Sequence, residues 1–258
     1  MQPAGDTLTP AAHAALARAA AKPLSYGVRA LEGPGENPRL VVLLGEAHLK
    51  LGTASALGKD VVEQIALRGV ETFQSKHVFA GPVLKWLIYF PRILLRIASL
   101  GLVKDSTIVD AKQASHGFTV EIERAKHMPL SLHVASLYMT ALFSTMFAHV
   151  GLSVLRLFVP GLLEPLFALS LAASMAFQTH MIMLVPALLL RRFSWSWVLH
   201  PMAAILTARD TLMVAGTVRM LADHPAAGPA LVILGRAHLP GCERILIEEH
   251  GFRRVALP

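Results

Sequence analysis

The sequence predicts an α/β fold: a duplicated β-α-β core with a mostly parallel sheet, interrupted by an apolar helical hairpin that crosses a membrane. Three observations carry this expectation. A short apolar run followed by Gly-x-Ala-His-Leu occurs twice, at 41–49 and at 231–239. Each copy leads into a stretch with helical spacing and then a second short apolar run, the order of a β-α-β unit. Between the copies lie two runs without Asp, Glu, Lys or Arg, Ser131–Leu155 over 25 residues and Pro165–Leu190 over 26. A helical span needs about 20 apolar residues, so both are long enough.

Composition agrees. The 258 residues are 54% hydrophobic and 16% charged, with a mean hydropathy of +0.52. Disorder requires the opposite balance and is excluded. The single cysteine, Cys242, excludes an intramolecular disulfide and any Cys-rich zinc or iron–sulfur module. Metal ligands must come from the 12 histidines and the carboxylates. The net charge is +7, but Lys85, Arg92, Arg96, Arg156, Arg191 and Arg192 sit inside or beside apolar stretches. That placement suits anionic lipid headgroups and not nucleic acid.

Four regions follow. Residues 1–37 form an N-terminal helix and loop. Thr9-Pro10 reads as N-cap and first helical position, Pro23 ends the helix, and Gly33-Pro34-Gly35 is a loop. Met1–Asp6 lacks the basic start of a secretory signal. Residues 38–126 hold the first half of the core. A strand over Arg39–Leu44 breaks at Gly45, a helix runs from about Ser55 to Arg68, and a second strand covers Gly69–Phe73. A helix at about 82–103 then places Lys85, Tyr89, Arg92 and Arg96 on one face, as in a segment lying in the membrane interface, with Pro91 kinking it.

Residues 127–192 form the hairpin, with Pro160, Gly161 and Pro165 at its turn. Residues 193–258 complete the core: a helix over Met202–Ala222, a strand over Ala230–Leu234, a helix over Cys242–His250 stopped by Gly251, and a last strand over Phe252–Ala256. Arg124 and Lys126 precede the hairpin, Arg191 and Arg192 follow it, and only Arg156 lies in its loop. That bias puts the core on the cytoplasmic side.

The repeat carries the candidate chemistry. In parallel sheets ligands collect at the carboxyl ends of the strands. Gly45 and Gly235 let the chain turn off those ends, and His48 and His238 follow three residues later. Two imidazoles joined by a carboxylate from Glu46 or Glu71 make a divalent-metal site with open positions. Arg209 lies in the apolar stripe of its helix, spaced from Ile205, Leu206, Leu212 and Met213. A core-facing arginine calls for an anionic partner or substrate. No Gly-x-Ser-x-Gly elbow, Walker A loop or His-Glu-x-x-His helix occurs.

At these residues the chain resembles the TraB/PrgY/GumN family, which is related to the TIKI metalloproteases and more distantly to ChaN and erythromycin-esterase-like proteins. Gly45-Glu46-Ala47-His48, Arg68-Gly69-Val70-Glu71, Arg209-Asp210-x-x-Met213-Val214-Ala215 and Gly235-Arg236-Ala237-His238-Leu239-Pro240-Gly241 follow the family's order, and Glu123-Arg124 stands where the family often has Asp-Arg. The matches cover roughly 38–75 and 200–250. The resemblance implies a duplicated α/β core and, for the TIKI branch, a divalent-metal peptidase using Mn, Co or Zn. His48 and His238 would be ligands, Glu46 or Glu71 ligand or base, and Arg209 a group that orients the site or binds a carboxylate or oxyanion. For many TraB-like proteins it implies instead a regulatory role that sequesters a peptide, metal or haem without catalysis. A purely structural membrane protein is the third reading. The middle of this chain is more apolar than the helical insert of a soluble member.

Overall fold

A computed structural model describes residues 8–256 except 48, 49, 73, 101, 105, 106, 160, 162 and 194. In chain order the elements are α1 (Pro10–Ala20), β1 (Tyr26–Glu32), β2 (Leu40–Glu46), β3 (Lys50–Leu51), α2 (Gly52–Gln64), β4 (Leu67–Val70), α3 (Gly81–Ala98), β5 (Val103–Lys104), α4 (Thr107–Gln113) and β6 (Phe118–Glu121). They continue with α5 (Leu130–Arg156), α6 (Glu164–His180), α7 (Leu184–Leu189), α8 (Ala203–Asp223), β7 (Ala230–Gly235), α9 (Leu239–His250) and β8 (Arg253–Val255). The chain divides into an α/β unit (1–73, 94–125 and 209–258) and a hairpin unit (74–93 and 126–208).

The α/β unit is built on a six-stranded sheet in the order β6-β4-β7-β2-β1-β8. Pairs β6–β4, β4–β7 and β7–β2 are parallel, and β1 runs antiparallel to β2 and β8. The sheet is therefore mostly parallel. Such sheets bury both faces, which explains the unbroken apolar runs of β2 and β7. Val42, Leu44, Leu231 and Ile233 pack against α1, α2 and α4 through Leu16, Val61, Val62 and Ala111. Val41, Leu43, Val232 and Leu234 pack on the other face against Met213, Met220, Ile245 and Leu246 of α8 and α9.

Neighbouring strands β2 and β7 send their crossovers in opposite directions. From β2 the chain passes through α2 to β4, beyond β7; from β7 it passes through α9 to β8, beyond β2 and β1. Right-handed crossovers that travel opposite ways place their helices on opposite faces, as the two core layers show. The carboxyl ends of β2 and β7 thus form a topological switch point, where a crevice opens in sheets of this kind.

Several elements differ from the sequence reading. Tyr26–Glu32, expected as loop, is strand β1, with Tyr26, Val28, Ala30 and Leu31 buried. Helix α2 ends at Gln64 and β4 starts at Leu67, so Arg68 belongs to the strand and not to the helix end. Its buried guanidinium donates to the carbonyls of Val62, Ile65 and His116 and to Thr119 Oγ1, partners that cover the charge. Strands β2 and β4 do not pair with each other, because β7 lies between them. The last strand, β8, pairs antiparallel with β1.

In the hairpin unit, α5 has 27 residues and Glu164–Leu189 has 26, and the most apolar 18-residue windows of the two have mean hydropathies of 1.4 and 1.5. Both are long and apolar enough to cross a membrane, and only 6% and 11% of their most apolar windows are buried. Gly161, at φ 84°, lies in the turn between them, which Arg156 and Glu164 close with a 2.7 Å ion pair. The polar side chains of the hairpin meet across it: His149 Nδ1 lies 3.0 Å from Ser170 Oγ, and Tyr138 Oη 3.0 Å from His180 Nδ1. Helix α3 continues unbroken through Pro91.

Candidate functional site

Each parallel strand near the switch point carries an ionisable residue just past or at its carboxyl end that bears on the candidate site, Glu46 on β2, Glu71 after β4, Glu123 after β6 and His238 after β7. Strand alternation sorts them by face. Glu46 shares the parity of Val42 and Leu44, so it faces the α1/α2/α4 layer, where Oε2 accepts from Thr107 N at 2.8 Å at the start of α4. Glu71 follows Val70 of that layer and therefore turns to the opposite face, under α8.

There Arg209 gathers the carboxylates. Its Nε donates to Glu123 Oε1 at 2.5 Å and its Nη2 to Glu123 Oε2 at 2.8 Å, a fork that matches carboxylate geometry. Nη2 also donates to Glu71 Oε1 at 2.6 Å. Glu71 Oε2 accepts from Gly235 N, and Glu71 N extends the ladder to Ile233 O. Glu71, Glu123 and Arg209 are all buried. Burial alone would lower the guanidinium's pKa, but the hydrogen bonds and charges of Glu123 and Glu71 outweigh it and hold Arg209 cationic.

His238 completes the group. Its Nδ1 lies 2.6 Å from Asp210 Oδ1, so the carboxylate fixes the tautomer with hydrogen on Nδ1 and the lone pair on Nε2. That Nε2 stands 3.5 Å from Arg209 Nη1 and 3.8 Å from Glu71 Oε1. An imidazole oriented by a carboxylate on its far nitrogen is the arrangement of a metal-ligating or proton-accepting histidine. Cys242, next to Asp210, is no competing nucleophile: burial, then the charges of Asp210 and Glu71, push its thiol pKa well up and keep it protonated.

Close packing sets this geometry. A Cβ on Gly216 of α8 would lie 1.7 Å from Ile122 O, so the helix rests directly on the end of β6 and brings Arg209 to Glu123. A Cβ on Gly241 of α9 would lie 1.7 Å from Asp210 Oδ2. We expect Gly216→Ala to cost at least about 1–3 kcal/mol in chemical unfolding, because the atom met is backbone and cannot step aside. Wild-type stability in that variant would mean that α8 and β6 do not touch.

The chain turns at Gly235 as the sequence leads one to expect, its carbonyl accepting from His238 N at 2.9 Å, but neither Gly45 nor Gly235 adopts left-handed backbone. Gly45 lacks a side chain because a Cβ would press on Arg236 Cα at 3.2 Å and Leu239 Cβ at 3.3 Å. Gly235 contributes its N–H to Glu71. His48 lies outside the described residues. The structure thus brings together Glu71, Arg209, His238 and Gly235, and sets Glu46 on the other face. Asp210 and Glu123 are not among the site residues expected from the sequence, although both stand in its motifs: Asp210 beside Arg209, and Glu123 in Glu123-Arg124.

A divalent metal can be tested against this donor set. His238 Nε2 and Glu71 Oε1 are donors of the right type, separated by a distance one ion could bridge at about 2.0–2.2 Å from each. Among the described residues no three His, Cys, Asp or Glu side chains form a metal-binding group. The described residues therefore fit as two ligands of such a site.

Glu123 supplies a pH prediction. Burial raises its pKa above the ordinary 4.5, with Arg209 pulling it back and Glu71 pushing it up. The folded chain holds that proton more tightly than the unfolded chain. Its contribution to stability is complete below pH 4.5 and is lost as pH rises through the folded value. In chelator-treated protein, Glu123→Gln should show a flatter pH dependence of unfolding than wild type across that window. Parallel curves would reject the assignment.

Compared with known proteins, the chain matches no family model, no curated protein and no solved structure.

Proposed function

We propose that the protein is a membrane-anchored, TraB-like hydrolase that acts on peptides at the switch point of its sheet. The observation that carries this reading is the buried Asp210–His238 pair, whose imidazole Nε2 faces Glu71 and Arg209 at the strand ends. The neighbouring central strands β2 and β7, each opening into Gly-x-Ala-His, support a duplicated core. A divalent ion (Mn, Co or Zn) would be held by His238, Glu71 and His48, the last read from sequence. When bound, such an ion lowers the pKa of its water and polarises a carbonyl.

The chain's own groups do the rest. Asp210 keeps the His238 lone pair on Nε2. Glu71 Oε1 serves either as a ligand of that ion or, where it is not a ligand, as the group that accepts or returns a proton. Arg209 holds Glu71 and Glu123 in place and presents Nη1 toward an anionic oxygen. Commitment of Nε and Nη2 to the two carboxylates favours a second reading, in which the same fold binds a peptide, metal or haem without turnover. The two apolar helices support membrane insertion as a hairpin, and the flanking Lys and Arg residues favour a cytoplasmic α/β unit.

The test is metal content and peptide-library turnover of the full chain in detergent, wild type against His238→Ala. The hydrolase reading expects about one bound metal per chain and cleavage, both lost in the variant while its circular dichroism stays unchanged. Metal retained without cleavage selects the binding reading. Neither metal nor cleavage in wild type ends the metallohydrolase proposal.

A further inference from the structure

The first turn of α5 and helix α3 carry an inference about lipid. Two rows run along α3 with identical spacing. Lys85, Tyr89, Arg92 and Arg96 form one, at steps of four, three and four residues. Trp86, Phe90, Ile93 and Ile97 form the other, each one position later and so rotated by about 100°. The second row faces outward: Trp86 is 68% exposed, Phe90 39%, Ile93 53% and Ile97 67%. Trp86 and Phe90 stack with ring centroids 5.3 Å apart, which makes the row continuous. In the first row, Lys85 Nζ and the Arg92 guanidinium each lie 5.8 Å from the Tyr89 ring centre, so the two cations bracket one aromatic. Residues 72–104 contain Lys76, Lys85, Arg92, Arg96 and Lys104 and no acidic residue.

A protein partner could cover the apolar row, but two features favour a bilayer. A basic flank beside an aromatic and aliphatic stripe is complementary to anionic headgroups above acyl chains. The entry to α3 is also fixed in level. Phe79, two residues before the helix, donates its N–H to His133 Nδ1 at 3.3 Å and packs on that ring at 4.6 Å. His133 lies in the first turn of α5. At 1.5 Å per residue the 27 residues of α5 extend about 40 Å, the thickness of a bilayer with its headgroups. Its first turn then stands among headgroups, and α3 starts at that depth.

We propose that α3 lies on an anionic phospholipid surface, with Trp86, Phe90, Ile93 and Ile97 in the acyl boundary and Lys85 and Arg92 on lipid phosphates. This rests on the membrane-hairpin reading. The experiment uses the full chain with Trp195→Phe and Trp197→Phe, leaving Trp86 as the sole tryptophan, reconstituted in vesicles of phosphatidylcholine with and without phosphatidylglycerol. Trp86 should be quenched by lipids brominated near the headgroup end of the acyl chain and shielded from aqueous iodide. Anionic lipid should deepen both effects. Replacing Lys85 and Arg92 by Gln should weaken the anionic preference by about fivefold per cation, while the protein stays resistant to carbonate extraction.

Iodide quenching of Trp86 in carbonate-resistant protein overturns the proposal and leaves the hairpin standing. Shielding from both quenchers, with concentration-dependent self-association, overturns it in favour of a second copy as occupant. Extraction by carbonate overturns the hairpin, and the proposal with it.

Discussion

Replacing Arg209 by alanine is expected to destabilise the α/β unit by about 3–5 kcal/mol, the cost of stripping one partner from a buried ion pair. The figure is high because one guanidinium serves two carboxylates. Glu71 is 6% exposed and Glu123 1%, so neither can turn to water. Arg209→Lys should recover part of the loss, since an ammonium cannot reproduce the fork on Glu123. Combining Arg209→Met with Glu71→Gln and Glu123→Gln should recover more than Arg209→Ala alone retains, because no buried charge is left unpaired. Hydrogen exchange in peptides covering 67–71 and 118–123 reports the loss directly. Unchanged protection there in Arg209→Ala would contradict the role assigned to the cluster.

The position of the cluster along the chain explains why such an expensive group is kept. Glu71, Glu123 and Arg209 each stand within three residues of a point where the chain leaves or re-enters the α/β unit, at 73/74, 125/126 and 208/209. Long excursions leave these ends entropically free. The salt bridges tie three of them together inside the unit, at the carboxyl ends of the strands where the candidate site lies. The same residues thus fix the exits and set the distance from Glu71 to His238.

What the sequence made legible follows from which forces are local. Strands β2 and β7 announce themselves because strands buried on both faces must be apolar at every position. Arg209 is visible because a charge within an apolar stripe needs a partner, and Glu71 because an acid within a strand pattern does too. Strand β1 escapes because it is a short stretch between Pro23 and Gly33-Pro34-Gly35, whose turn signals dominate it. Strand β6 escapes because it is an edge strand whose Phe118 is exposed, so no burial pattern marks it. The insertion of β7 between β2 and β4 is a property of pairing order, which periodicity does not encode. Asp210 and Glu123 do not stand out as site residues for the same reason. Their partners lie 28 and 86 residues away, and only the folded chain shows which polar residue meets which.

Asp210→Asn is the substitution that reads the chemistry of the site most directly. Asparagine is close in shape, but it can offer an N–H to His238 Nδ1 where the carboxylate can only accept. The imidazole then places its hydrogen on Nε2, and the lone pair facing Glu71 and Arg209 is lost. If His238 is a metal ligand, as proposed, apparent metal affinity should fall about 10–100-fold, the usual cost of losing an outer-shell carboxylate. Turnover should fall with it and return when metal is raised by the same factor. If His238 instead acts as a base without metal, the loss should approach the ~10²–10⁴-fold range of general-base catalysis, and no metal concentration should restore it. Measuring turnover against metal concentration in wild type and Asp210→Asn separates the two. A variant with wild-type metal affinity and wild-type turnover would remove His238 from the chemistry altogether, since its tautomer would then be of no consequence.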